Sequence, residues 1–237
     1  MKKRLKTTIY IVVGIIVVIV LVVGYLGFVP GLSDLMGAGP RDLGVRYTQQ
    51  DLLLVQQKIG HTYTELPATT TGKTIQYSGA KDLKADFTNE ELTALANSGK
   101  WKYGPAKDIQ IKIGPDGTGE VSGRLMTGNL AEAGKVFGFS EQEVSDSGKY
   151  LGLIPGNPSF YMKGKASIQN NQVNIQPEKI EIGRIDTTKL VSAGEMESVF
   201  EKGIKAVPGM NIRSATLDNG KAQVDATMPD TIARVTE

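Results

Sequence analysis

The chain has 237 residues, no cysteine and a formal net charge of +2. Its length allows one medium domain with an appendage or two small domains. The lack of cysteine excludes a disulfide framework, a thiolate zinc site and a thiol nucleophile.

The first segment, "MKKRLK", carries four of the 27 cations (Lys2, Lys3, Arg4 and Lys6), which leaves 23 cations against 25 acids, a net of −2, for the rest. The apparent basicity therefore belongs to the N-terminus, and no nucleic-acid partner, which would need a basic face, is expected. Residues 7–29, "TTIYIVVGIIVVIVLVVGYLGFV", are uncharged. A helix needs about 20 apolar residues to cross a bilayer, and a cleaved signal has a shorter run of roughly 7–15. The stretch reads as an N-terminal transmembrane helix with the basic tip in the cytoplasm by the positive-inside rule. The competing reading is a long signal peptide cut near "MGAG". The division is then 1–29 tip and anchor, 30–44 a Gly/Pro-rich juxtamembrane linker, and 45–237 an extracytoplasmic domain. The expected localisation is the cell membrane, single-pass.

Three helix starts follow. "YTQQDL" at 47–52, "FTNEEL" at 87–92 and "FSEQEV" at 139–144 share one pattern. Thr48, Thr88 and Ser140 can cap the N3 amide while Asp51, Glu91 and Glu143 reach back to the cap amide. The preceding aromatic staples onto the following aliphatic. Capping explains these acids better than a ligand role does, and their unequal spacing argues against a solenoid.

Strand-like alternation fills the spaces between and after these starts. "KTIQYSG" at 73–79 is a short candidate. Residues 107–113 and 119–125 flank "GPDG", a hairpin turn; Ile109, Ile111 and Ile113 share one face, and Asp108, Gln110 and Lys112 the other. "YMKGKASI" at 161–168 turns through "QNNQ" into "VNIQPEKIEIG", where Pro177 marks an edge or bulge. Residues 210–228 form a further hairpin about Asn219-Gly220. The total is about seven or eight mostly antiparallel strands, a type of sheet that commonly has one apolar face and one wet face. "DTTKLVSAGEMESVFEKGIKAV" at 186–207 places Leu190, Ala193, Met196, Val199, Phe200 and Ile204 on one helical stripe, and Pro208 stops it. The plan is α+β, with a long amphipathic helix covering an antiparallel sheet.

Catalytic chemistry finds little support. No HExxH, G-x-S-x-G or P-loop pattern occurs, and neither a metal site nor a cofactor is expected. His61 is the only histidine; a cation there suits the end of the first helix of the domain. Asp116 and Glu120 lack the spacing of a calcium loop. Trp101 and Tyr103 read as packing pegs more readily than as pocket walls.

The succession "KDIQIKIGPDGTGEVSGRL … FYMKGKASIQNNQVNIQPEKIEIGRIDTTKLVSAGEMESVFEKGIKAVPGMNIRSATLDNGKAQVDATMP" resembles bacterial membrane-anchored proteins of the tubular lipid-binding (TULIP-like) type, of the YpmS-like and YceB-like kind. The likeness covers roughly residues 47–230 and rests on pattern, not on catalytic signatures. It implies a curved antiparallel sheet wrapped on the long helix, with an apolar groove for acyl chains. The chain departs from the family in having few aromatics and a charged, Gly-rich middle at 128–160.

Two functions stay open at this point. The first is a membrane-tethered domain that holds a lipid or other apolar ligand in a groove between sheet and helix. Since each apolar face must bury itself on something, the groove would be lined by Ile109, Ile111, Ile113, Val121 and Leu125 opposite Met196, Val199, Phe200 and Ile204. The second is a closed adaptor domain of an envelope complex, in which the same side chains are ordinary core. Expected partners are the lipid bilayer, a lipid ligand and other envelope proteins. An envelope hydrolase is a distant third, because no nucleophile–base pair is visible.

Overall fold

Tight turns and period-2 alternation build most of the molecule. The computed structural model describes residues 16–26, 28–29, 31–70, 73–151 and 156–236. In chain order the elements begin with α1 (described over residues 16–25), α2 (Leu32–Leu35), α3 (Gln49–Ile59), β1 (Thr62–Leu66), β2 (Ile75–Ser78), β3 (Lys81–Phe87) and α4 (Asn89–Asn97). The hairpin β4 (Ala106–Ile113) and β5 (Gly119–Leu125) follows, then α5 (Leu130–Val136) and α6 (Glu141–Leu151). The remainder is β6 (Ser159–Gln169), β7 (Gln172–Ile182), β8 (Ile185–Asp186), α7 (Ala193–Ala206), β9 (Asn211–Asp218), β10 (Lys221–Met228) and β11 (Thr231–Val235).

The main sheet is a curved antiparallel half-barrel in the order β3-β10-β9-β6-β5-β4, with β7 on the other side of β6 and β8 beyond it. One edge of β6 is shared: residues 159–164 pair with β5 and residues 167–169 with β9. Asn170-Asn171 and Asn219-Gly220 take left-handed backbone at both central positions, which matches strand twist in two-residue hairpins. Pro177 sits at a bulge opposite Gly164, where an added Cβ would lie 2.4 Å from the Gln176 carbonyl oxygen. A second, three-stranded sheet, β1-β11-β2, contains a parallel β1–β11 pair. The alternation reading misses β1, β3 and β11: "KDLKADF" carries charge on its wet face, and "TYTEL" and "TIARV" are short.

Helix starts follow the capping chemistry. Thr48 with Asp51 and Thr88 with Glu91 form reciprocal capping boxes, and Ser140 with Glu143 makes the same exchange at α6. The last long helix begins later than its apolar stripe suggests, because Ser192 and Glu195 form a box of their own. Thr187 and Thr188 are instead drawn back onto β7, where the Ile180 amide donates to Thr188 Oγ1 at 2.8 Å.

The expected transmembrane helix is not found. Among the described residues no helix is long and apolar enough to cross a membrane. The end of α1 turns into the domain. The Arg184 amide donates to the Leu26 carbonyl at 3.0 Å, the Arg184 guanidinium lies 4.1 Å from the Tyr25 ring centroid, and the Val29 amide donates to Ser33 Oγ at 2.9 Å. The single-pass topology and membrane localisation lose their support with the helix. The basic tip and the first half of the apolar run lie outside the described residues.

Residues 36–46 run along the polar face of the main sheet. Ala38, Leu43 and Val45 are buried there, with Leu43 and Val45 packed on Tyr161. Arg41 pairs with Glu181 at 2.7 Å and lies over the Tyr161 ring, and the Leu43 amide donates to Gln110 Oε1.

The principal core lies under α3 and α4. Val55, Ile59, Leu83, Phe87, Ile113 and Ala222 are buried together there, with Leu52, Leu92 and Leu95 packed around them. The sheet therefore does not wrap on the long helix as expected: no residue of α7 is fully buried.

Two helices close sheet edges with side chains. On α4, Asn89, Thr93 and Asn97 face the outer edge of β4. The Ile113 amide donates to Asn89 Oδ1 at 2.8 Å, the Ile111 amide to Thr93 Oγ1 at 3.0 Å and the Ile109 amide to Asn97 Oδ1 at 3.0 Å. Asn97 and Thr93 donate in return to the Ile109 and Ile111 carbonyls. On α7, Glu197 and Glu201 accept from the Ile175 and Val173 amides. Thr93 is buried at 1% exposure, so Thr93→Val, which keeps shape and deletes the hydroxyl, is expected to cost about 1–3 kcal/mol by orphaning the Ile111 groups. Thr93→Ser should cost less. Urea unfolding compares the two; equal stability of Thr93→Val and the parent chain would show that the hydroxyl does not hold this edge.

Candidate functional site

The expected site residues do not gather in one place. Ile113 ends β4 at 3% exposure inside the α3–α4 core. Ile109 and Ile111 are half-buried, and Ile109 lies within the register shift between Lys107 and Gln110 beside a left-handed residue, Asp108 at φ 53°. Ile109 lines a polar recess with Arg46, Tyr47, Asn97 and Asp108. Leu125 and Ile204 are half-buried.

Three of the nine do meet. Val121, Met196 and Phe200 border an apolar depression of about 160 Å³ between α7 and the sheet. Its other walls include Met162, Ala166, Ile175, Ile180 and Leu217. These side chains are absent from the expected set, although the alternation of β6, β7 and β9 was the signal that could have supplied them. A space of that size resembles the roughly 150 Å³ cavity that holds a single benzene. It falls short of the roughly 300–1,000 Å³ usual for ligand pockets. The expected membrane-tethered groove for a lipid is therefore corrected on two counts: no described helix is long and apolar enough to cross a membrane, and only three of the nine expected side chains border the space between sheet and helix, which is a depression of about 160 Å³.

Val199 faces elsewhere, into a cleft of about 530 Å³ between α6 and α7 that also includes Phe139, Glu143, Glu195 and Lys202. Lys202 pairs with Glu143 and stands 4.7 Å from the Phe139 ring centroid. The Lys202 ammonium and the Ser140 cap together hold the Glu143 carboxyl down at about 2. Both acids at the mouth serve as helix caps, Glu143 for α6 and Glu195 for α7. The outer side of α7 is apolar and open: Val199 is 47% exposed and Phe200 51%, and Leu190 just before the helix is 76% exposed.

Other candidates resolve into structure. Asp116 accepts from the Thr118 amide and hydroxyl inside its turn. Trp101 donates to Thr74 Oγ1 and bridges Thr236, tying the small sheet to the α4–β4 connection. The Tyr161 hydroxyl is pushed up to about 12, chiefly by burial and then by its bond to Glu120. Among the described residues no group of His, Cys, Asp and Glu could hold a metal ion.

No family model, no curated protein and no solved structure matches this chain. The resemblance to tubular lipid-binding proteins rests on the quoted sequence pattern alone.

The two apolar rows differ in environment, and a polar substitution in each distinguishes them. Ile113→Asp is expected to unfold the domain, because an unpaired buried charge costs several kcal/mol. Val199→Ser, at a nearly half-exposed position, should shift stability by less than about 1 kcal/mol. Thermal unfolding of both variants checks the contrast, and a folded Ile113→Asp protein would contradict the packing described here.

Proposed function

We propose that this chain is a closed, non-catalytic adaptor domain that acts through its surface and holds no ligand inside. The observation that carries the reading is the division of the apolar rows: side chains that would line a lipid groove are split between the α3–α4 core, a recess beside α4, the α6–α7 cleft and a depression of only about 160 Å³. The acids that might have served chemistry are engaged as caps and turn acceptors. The partner is a protein, and α7 is the face on which to seek it. Its stripe leaves Val199 and Phe200 about half exposed, while its Glu197 and Glu201 hold it on the edge of β7.

Native mass spectrometry of the purified full chain tests the closed interior. The expected result is the mass of the polypeptide alone, unchanged when mixed lipid is present during purification. Retention of a stoichiometric lipid, released by Met196→Glu, would overturn the reading.

A further inference from the structure

The only histidine, His61, lies at a waist between the two sheets. Three chain crossings meet there. Gly60-His61 joins α3 to β1, Gly79-Ala80 joins β2 to β3, and Pro229-Asp230 joins β10 to β11. The crossings are held closely. The Thr62 amide donates to the Asp230 carbonyl at 2.9 Å and the Asp230 amide to the Ser78 carbonyl at 3.1 Å, while a Cβ on Gly79 would stand 2.8 Å from that of Asp230.

Helix α3 ends at Gly60 in left-handed backbone, at φ 61°. A helix C-terminus attracts a cation, and His61 was the expected one. The structure gives that place to Lys81, whose ammonium donates to the Gly60 carbonyl and stands 3.5 Å from Asp230. His61 Nε2 is buried without a hydrogen-bond partner, and the ring meets Tyr63 edge-on at 6.0 Å. Arg234 of β11 stands 4.4 Å from the Tyr63 ring centroid. Among the described residues, the charged groups around the imidazole are thus Lys81 from β3, Arg234 from β11 by way of Tyr63, and one acid, Asp230, already paired with Lys81.

We propose that His61 is an acid-sensitive latch on β1: protonation of its imidazole releases the strand from the waist. Buried Nε2 would become a charged donor without a hydrogen-bond acceptor in place, beside the Lys81 cation, so the ring moves to solvent and draws Thr62 from Asp230. The strand is suited to leave. It pairs only with β11, and four of its five residues are exposed. Trp101 and the Lys102 amide hold the opposite end of the small sheet, on Thr74 and Val235, so β11 and β2 stay in place.

The direction of the pH effect follows from the sign of the shift. Burial, and then the Lys81 ammonium, push the imidazole below its ordinary value, with Asp230 opposing. The open form therefore binds the proton first. The closed form is fully favoured above the ordinary histidine pKa and loses ground as pH falls below it.

Because there is one histidine, its ring signals in a proton NMR spectrum of the full chain need no assignment. They should titrate with a midpoint below the ordinary value of about 6.5. Hydrogen exchange of the 62–66 amides, corrected for its intrinsic pH dependence, should rise several-fold between about pH 7.5 and about pH 5.5, on either side of that value. The β3–β10 amides serve as the internal reference. His61→Phe and His61→Gln, which cannot take the proton, should both remove the rise; the two differ in size and polarity, so at least one is expected to fold. A midpoint at or above the ordinary value, or the same rise in a folded variant, would overturn the latch.

Discussion

The constraint on which the rest of the molecule depends is the pairing of sheet edges. A buried amide or carbonyl without a partner costs about 1–3 kcal/mol, and an open half-barrel exposes a row of such groups along each outer strand. Here α4 and α7 serve as the missing strands. Four residues of helix rise about 6 Å, and two residues of strand advance about 6.7 Å, so side chains at i, i+4 and i+8 meet every second residue of an edge. Asn89, Thr93 and Asn97 do this for β4, and Glu197 and Glu201 for part of β7. Neutral amides and a hydroxyl can both donate and accept, so α4 satisfies carbonyls as well as amides. The carboxylates of α7 can only accept when ionised, and they meet amides alone.

This arrangement also assigns the two helices different kinds of adhesion. α4 covers an edge and contributes to the core at once, since Thr93 and Ala94 are buried and Leu92 and Leu95 pack beneath. α7 holds its edge with two acids while its apolar stripe remains partly open. Ile109, Ile111 and Ile113 follow from the first case. Their backbone is fixed by α4, and their side chains run from a polar recess at one end to the packed core at the other. A row that is continuous in sequence is therefore not one site.

Much of this was legible in the residues. Turn pairs such as Asn219-Gly220 and the cap pairs at 48/51 and 88/91 are local, so their chemistry can be read within a few positions. The antiparallel α+β plan follows from them. What could not be read depends on distance along the chain. Asn89, Thr93 and Asn97 look like an ordinary polar helix face until β4 lies beside them. The stretch at 30–44 looks like a linker because its glycines and prolines favour irregular backbone, and the chain that leaves it at Val45 looks no different. Buried Leu43 and Val45 find Tyr161 more than a hundred residues away. The apolar N-terminal run was judged on its length, its lack of charge and the cations before it, but its last residues bend toward Arg184. The expected groove failed for a similar reason: periodicity tells which residues share a face, not which element covers it.

The parallel pairing of β1 with β11 has a bearing on the order in which the molecule assembles. β11 lies between β1 and β2, and the small sheet is described with no direct β1–β2 pairing. Those two strands therefore have no neighbour until the last strand arrives. Joining β1 to β11 first would close a loop spanning most of the domain, and the entropy lost in closing a loop grows with its length. The β9–β10 hairpin and its contact with β3 shorten that loop beforehand by bringing Asp230 to the waist. On this topology the local hairpins are expected to form before the small sheet, whose closure depends on contacts distant in the chain more than on its own strand propensity.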